Sequence, residues 1–350
     1  MSTQFLKGNE AIAEAAILCG CRYFFGYPIT PQNEIPEYFS KRLPEVGGTF
    51  IQAESEVASI NMVYGASGAG ARVMTSSSSP GMSLKMEGLS YIAGADLPCV
   101  LVNIVRSGPG LGGLQPSQGD YYQAVKGGGH GDYRCLVYSP TTVQEAIDLT
   151  QLAFDKADEY RMPAIILSDA IIGQMMEPAQ LREKTPVKTD KSWATVGWKD
   201  KSRPRAVINS LHLDPVELEA KNLRRVERYN RIEESEVMYS AIGADRDILI
   251  VAYGIMARIA RAVIEEEGAK LGAGLFNPIS LWPYPYKELN AAAKGKKAVL
   301  CAELSTGQMI DDVRIAVAGE APVMFYGRTG GIVPTEKDVY NEILRIKEAL

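Results

Sequence analysis

Two prolines enclose a threonine in the stretch FFGYPITPQNEIP, residues 24–36. Proline fixes φ and lacks an N–H, so Pro28 and Pro31 stop the aromatic run before them and force one turn at Thr30. A hydroxyl displayed there suits either a ligand or the start of the helix that follows. Two carboxylates, Glu54 and Glu56, stand in FIQAESEVASINMVYGASGAGAR, where a β-rich run gives way to a helical one. A carboxylate in that position either compensates the helix dipole or holds a proton for acid–base work. Arg106 ends an apolar run, where ligands bind in open α/β sheets, and its permanently charged fork suits a small carboxylate; a surface ion pair is the alternative. TSSSSPGMS, residues 75–83 and including Ser79, is a polar strand end entering a Pro-Gly helix start, suited to lining a cleft or supplying caps.

Other signals exclude chemistry. Gly108, Gly110 and Gly113 have the G-x-G-x-x-G spacing of a dinucleotide loop. That loop must open a helix, yet Pro116 follows where the helix would continue, and Asp132 precedes the next strand instead of ending it. A flexible loop that lets backbone approach a ligand is the better reading. The cysteines are Cys19, Cys21, Cys99, Cys135 and Cys301, with no C-x-x-C pair, and the histidines are His130 and His212 alone. Neither a zinc set nor the usual four-cysteine iron–sulfur pattern is present, so buried, reduced, structural thiols are expected.

The elements that must position these residues follow from periodicity. Apolar runs at Tyr23–Gly26, Thr49–Gln52, 72–75, Cys99–Val105, 134–138 and 164–167 predict strands, several continuous enough to be buried on both faces. Helical patterns at 11–18, 56–67, 82–93 and 142–157 alternate with them, implying a doubly wound α/β domain with a mostly parallel sheet over residues 1–180. Residues 177–236 read as charged, Pro-punctuated linker without sustained apolar period, placed at 181–240 between domains. Within it an amphipathic helix opens at Asp214 and Pro215, with Leu218, Leu223, Val226, Tyr229 and Ile232 on one stripe. Strands at 248–253, 274–276, 298–302 and 323–326, with helices at 257–271 and 308–318, predict a smaller α/β domain over 241–350. Net charge of −5 with only one local basic run, 221–231, argues against a nucleic-acid partner. No apolar run approaches membrane length and the N-terminus lacks signal-peptide order, so a cytoplasmic protein without a membrane partner is expected.

The chain resembles the 2-oxoacid:ferredoxin oxidoreductases, in their alpha-type chain bearing the pyrimidine-binding domain for thiamine diphosphate. GYPITP at 26–31, ESEVAS at 54–59, TSSSSPGMSLKMEGLSYIAGADLPCVLVNIVRSGPG at 75–110 and GGIVPTE at 330–336 carry the resemblance, which spans essentially the whole chain. It implies the thiamine-diphosphate-binding fold followed by a transketolase-C-like domain. It implies that Thr30, beside Tyr27 and Pro28, meets cofactor and 2-oxoacid, that Ser79 lies at the cofactor, and that Arg106 holds the substrate carboxylate. Glu56, which fits the family's S-E-x-A pattern better than Glu54, is implied as the carboxyl that favours the imino tautomer of the pyrimidine.

No magnesium and diphosphate motif is present. The resemblance implies a beta-type partner supplying magnesium, diphosphate and 4Fe-4S sites, with gamma-type and small ferredoxin-like chains, coenzyme A as cosubstrate and ferredoxin as acceptor. The implied reaction is oxidative decarboxylation of a 2-oxoacid to acyl-CoA. Residues 110–134 resemble the branched-chain (2-oxoisovalerate) subfamily and also some 2-oxoglutarate enzymes; pyruvate is a further alternative. His130 and Asp132, in that loop, are expected either at the cofactor pocket or interface or in a structural role. A scaffold subunit without chemistry and a different thiamine enzyme without ferredoxin are the competing classes.

Overall fold

The computed structural model describes residues 2–197, 201–202 and 204–350; positions 198–200 and 203 of the expected linker lie outside the described residues. The chain opens with β1 (Ser2–Lys7), α1 (Gly8–Leu18), β2 (Tyr23–Gly26), α2 (Glu34–Glu45), β3 (Thr49–Gln52) and α3 (Glu56–Gly68). It continues through β4 (Val73–Ser77), α4 (Ser79–Gly94), β5 (Cys99–Val105), α5 (Tyr121–Val125), β6 (Leu136–Tyr138) and α6 (Val143–Tyr160). Then come β7 (Pro163–Asp169), α7 (Ala170–Gln174), β8 (Met176–Leu181), α8 (Pro215–Ser235), β9 (Tyr239–Ile242) and β10 (Ile248–Val251). The last elements are α9 (Gly254–Leu271), β11 (Ala273–Pro278), β12 (Ser280–Trp282), α10 (Tyr286–Ala293), β13 (Ala298–Glu303), α11 (Met309–Val317), β14 (Val323–Gly327) and α12 (Glu336–Ala349).

Two α/β sheets result. The larger runs β12-β6-β7-β5-β4-β2-β3, all parallel except β12, which returns from the C-terminal third to pair with β6. The smaller runs β14-β13-β10-β11-β9, with only β9 antiparallel. Strands β4, β5, β6 and β7 are buried along their whole length, as strands covered by helices on both faces must be. In the larger sheet the chain leaves β2 toward β3 on one side and then β4 on the other. The crevice between the carboxyl ends of β2 and β4 is therefore the switch point where such sheets take ligands.

Three differences from the sequence reading have physical causes. Strand β8 falls within the stretch read as linker and pairs antiparallel with β1, an unpredicted strand at the other end of the first domain. A two-stranded ladder between such distant segments leaves no local period to detect. Helix α8 does open at Asp214, whose carboxylate accepts from Val216 N at 3.0 Å, but only Tyr229 and Ile232 of its apolar stripe are buried. Leu218, Leu223 and Val226 face solvent among the described residues. Strand β4 runs on to Ser77, beyond the apolar residues, because Thr75, Ser76 and Ser77 are themselves buried.

All five cysteines are buried and unbridged, and burial pushes the Cys19 and Cys21 thiols up to about 12. No helix among the described residues is long and apolar enough to cross a membrane. The structural charge of the first sheet is Arg72, just before β4. It donates to Asp155 at 2.7 Å and Asp158 at 2.8 Å on α6, and to the Cys19 carbonyl at 2.6 Å, all buried. Arg72→Met would leave Asp155 and Asp158 with only their lysine partners, Lys184 at 2.7 Å and Lys191 at 3.1 Å. Part of the charge pairing survives, so urea unfolding followed by circular dichroism is expected to show a loss of about 1–3 kcal/mol.

Candidate cofactor and substrate site

The turn after β2 is held from four directions. Arg106 Nη1 donates to the Thr30 carbonyl at 2.9 Å, while Asn9 Nδ2 and Gln174 Nε2 donate to the Pro31 carbonyl at 2.9 and 2.7 Å. Gln32 Nε2 reaches back to the Tyr27 carbonyl at 3.2 Å, and Ser76 of β4 donates to Gln32 Oε1 at 2.5 Å. Proline at both flanks removes N–H groups, and side chains satisfy the carbonyls that remain. Thr30 itself is exposed and its hydroxyl accepts from Asn33 Nδ2 at 3.2 Å; Tyr27 and Pro28 are also exposed. The hydroxyl is thus on a pinned loop at the mouth of the crevice.

Arg106 follows β5 and is buried, 7% exposed, so it is not the surface ion pair of the bland reading. Its guanidinium gives one donor to Thr30 and one to the Leu111 carbonyl at 3.3 Å, and its buried Nε has no partner among the described residues. Ser79, at the start of α4, clamps the Arg106 backbone: its hydroxyl accepts from Arg106 N at 3.0 Å and donates to the Arg106 carbonyl at 3.1 Å. Ser79 N in turn donates to Asn103 Oδ1 at 3.1 Å, and Asn103 Nδ2 donates to Asp120 at 2.9 Å. Burial holds the Asp120 carboxyl above the usual carboxylate range, against the hydrogen bonds of Ser79 and Asn103.

The two glutamates separate cleanly. Glu54 is exposed, whereas Glu56 is buried as the first residue of α3, behind the Ser55 N-cap that accepts from Ala58 N at 3.1 Å. A Cβ on Gly81 of α4 would lie 2.5 Å from Glu56 Oε1 and 2.1 Å from Ser77 Oγ, so only glycine fits there. Ser77 Oγ and Ser78 Oγ are buried without partners among the described residues. A buried carboxylate, two partnerless hydroxyls and a partnerless Arg106 Nε around one crevice fit a ligand with its own donors and acceptors, such as an aminopyrimidine.

The glycine motif opens no helix, as the rejection of a dinucleotide loop expects. Residues 107–116 fold back on themselves: Ser107 N donates to the Gln115 carbonyl and Gly113 N to the Ser107 carbonyl, both at 2.9 Å, with no helix opening. The turn at 330–331 seats against this loop, since a Cβ on Gly331 would fall 2.3 Å from Gln115 Cβ and its φ of +90° already favours glycine. A cavity of about 380 Å³ lies between Ser79, Gly108, Asp120 and Ser305, with no cationic side chain among the described residues that line it. The corresponding switch point of the smaller sheet is filled. Gln118 donates to the Tyr253 carbonyl and accepts from Leu304 N, each at 2.8 Å.

His130 and Asp132 do not join this group. Both are exposed, and they line a cavity with Tyr91 and Asn222 at the far end of α4. What the sequence reading missed is Gly81 and Lys85 on α4. Lys85 lies in phase with Gly81, Met82 and Leu89 on the buried face, so a charge on an apolar stripe was the available signal.

Comparisons agree with this architecture. Residues 14–228 match the thiamine diphosphate-binding region of pyruvate flavodoxin/ferredoxin oxidoreductase, and residues 246–339 match core domain II of pyruvate:ferredoxin oxidoreductase. The ketoisovalerate oxidoreductase subunit VorB of Methanothermobacter thermautotrophicus is 47% identical over 99% of this chain and 98% of its own. The 2-oxoglutarate synthase subunit KorA of Archaeoglobus fulgidus is 36% identical over 93% of this chain and 95% of its own. Among solved structures, a 2-oxoglutarate:ferredoxin oxidoreductase from Magnetococcus marinus superposes with a TM-score of 0.88 at 26% identity; it covers 99% of this chain, which spans 65% of that one. A split-gene transketolase, at 15% identity and a TM-score of 0.58, shares the fold. With a buried glutamate, a pinned threonine turn and an arginine at one switch point, the chain belongs to the pyruvate flavodoxin/ferredoxin oxidoreductase family, as an alpha-type 2-oxoacid:ferredoxin oxidoreductase subunit.

Proposed function

We propose that this chain, assembled with partners, carries out coenzyme A-dependent oxidative decarboxylation of a branched-chain 2-oxoacid, 2-oxoisovalerate, with ferredoxin as electron acceptor. The observations that support the reading are the Arg106 hydrogen bond to the Thr30 carbonyl and the buried Glu56 packed on α4, the helix whose Ser79 clamps Arg106. Substrate choice rests on 47% identity to the ketoisovalerate subunit against 36% to a 2-oxoglutarate subunit, and on the lack of a cation among the described residues lining the adjacent cavity to pair a second carboxylate. Leu111, exposed beside Arg106, offers apolar surface instead.

Thiamine diphosphate, when bound, supplies a carbon nucleophile and an electron sink for decarboxylation. Glu56 would hydrogen-bond the pyrimidine ring nitrogen and so favour the imino form. Thr30 orients the 2-oxoacid from a turn that cannot yield, and Arg106 uses its remaining donors on the carboxylate and the charge that develops beside it. Tyr27, Pro28 and Ser79 shape the cofactor's surroundings. Partner chains, a beta-type subunit with gamma-type and small ferredoxin-like subunits, supply magnesium, diphosphate contacts and clusters.

The test is viologen or ferredoxin reduction by the purified complex, with and without coenzyme A, across a panel of 2-oxoacids. Reduction that requires coenzyme A and prefers 2-oxoisovalerate is expected; preference for 2-oxoglutarate or pyruvate overturns the substrate, and an inert but cofactor-loaded complex points to a scaffold role. Glu56→Gln should assemble normally and lose about 10²–10⁴-fold in kcat. Arg106→Lys should raise KM for the 2-oxoacid by about tenfold or more, because one ammonium cannot hold two backbone carbonyls and a carboxylate. Gly81→Ala should cost only about 1–3 kcal/mol of stability. By pushing the Glu56 carboxyl aside it should nonetheless lower turnover by about 10²-fold, read in the same assay.

A further inference from the structure

Lys85 on α4 is completely buried, which is rare for a lysine unless its charge is paired. Its Nζ donates to the hydroxyls of Ser59 on α3 and Thr75 on β4, the latter at 3.1 Å, and it forms no salt bridge with any described residue. Burial pushes its pKa down to about 7, while the Glu56 carboxylate works in the opposite sense and favours the ammonium. A methionine would fill the same space without desolvating a charge, so packing alone does not account for a lysine here.

The surroundings direct that charge toward one residue. Gly81 and Gly88 stand four positions before and three after Lys85, on one face of α4. A Cβ on Gly81 would lie 2.5 Å from Glu56 Oε1, and one on Gly88 would lie 2.5 Å from Ile60 Cγ2. Helix α4 thus presses a small-residue stripe onto α3, and Lys85 enters the gap between the two contacts. There it meets Ser59 Oγ, which donates at 2.8 Å to the carbonyl of Glu56 itself, one turn back.

We propose that Lys85 is a positioning residue for the cofactor-activating glutamate: it braces the first turn of α3 through Ser59 and, in its protonated form, adds a positive charge near the Glu56 carboxylate. The inference rests on the assignment of Glu56 made above. A cation near the carboxylate lowers its proton affinity, so the shared proton would sit on the ring nitrogen with the carboxylate as acceptor, and release of one exocyclic N–H proton to the surroundings would then give the imino form. The proton stays on the cofactor ring, and Lys85 neither gains nor loses one.

The experiment uses the whole complex with thiamine diphosphate and magnesium, comparing wild type, Lys85→Met, Ser59→Ala and Glu56→Gln. Three quantities are read: affinity for the cofactor, the near-ultraviolet circular-dichroism band of its imino tautomer, and thermal stability. Lys85→Met is expected to bind the cofactor within about tenfold of wild type and to lose the imino band by about tenfold or more, tenfold being one pK unit of charge interaction. Ser59→Ala should weaken the band in the same direction. A Lys85→Met complex that melts earlier but keeps its band overturns the proposal, since a merely structural lysine would behave so. If that variant does not assemble, Ser59→Ala with an undiminished band overturns it equally. Loss of the band in Glu56→Gln alone sinks only the role of Lys85, whereas a band retained in Glu56→Gln removes the glutamate's assignment and this inference with it.

Discussion

Helix α4 can lie against α3 as it does only because residues 81 and 88 have no side chain. That close contact fixes three things at once. It sets Glu56 at the wall of the crevice, with Gly81 facing its carboxyl. It brings Ser79, two residues earlier, to the backbone of Arg106, where one hydroxyl both accepts from the N–H and donates to the carbonyl. It also closes the space around Lys85, whose ammonium is solvated by two hydroxyls in place of water. A close-packed interface transmits a small displacement instead of absorbing it, so a single added methyl at position 81 is felt at the Glu56 carboxyl and the Ser77 hydroxyl.

Arg106 is the second fixed point, and its role is divided. Part of the guanidinium holds the Thr30 and Leu111 carbonyls, and so ties the proline turn and the glycine loop to the end of β5. The partnerless Nε remains for chemistry. The proline turn is further anchored from α1 and α7, through Asn9 and Gln174, which also donate to Glu34. Burial alone would raise the Glu34 carboxyl, but these bonds and that of Lys7 hold it below the usual range. A threonine presented to a substrate needs this support, because a loop free to move would lose the orientation that makes one hydroxyl useful.

The smaller sheet contributes closure. Its own switch point is occupied by Gln118, so the geometry that would invite a ligand there instead locks the loop after β5 onto the second sheet. Asp169, at the end of β7, adds a second tie by accepting from Ile255 N at 2.9 Å as well as from the first turn of α7. The loops that border the crevice are therefore clamped from both sheets.

What was legible from the chain alone were features with a local cause. Strands β2, β3 and β5 run over the residues that their apolar pattern marks, and α3 starts at Glu56, where Ser55 caps it. The proline pair, the rejected dinucleotide loop and the doubly wound order were likewise written in short spacings. Tertiary structure alone decided the rest. Strands β1 and β8 exist because segments far apart in sequence find each other, and β12 leaves the C-terminal third to extend the first sheet. Glu54 and Glu56 are alike in residue type; the S-E-x-A pattern favours Glu56, but its burial depends on where α4 lands. The apolar stripe of α4 marks Lys85 as facing inward, but what it meets there is set only when Gly81 and Gly88 let α3 close over it. Periodicity reports which face of an element is apolar, whereas the partner that face meets, and therefore the environment of each charge, is set by contacts distant in sequence.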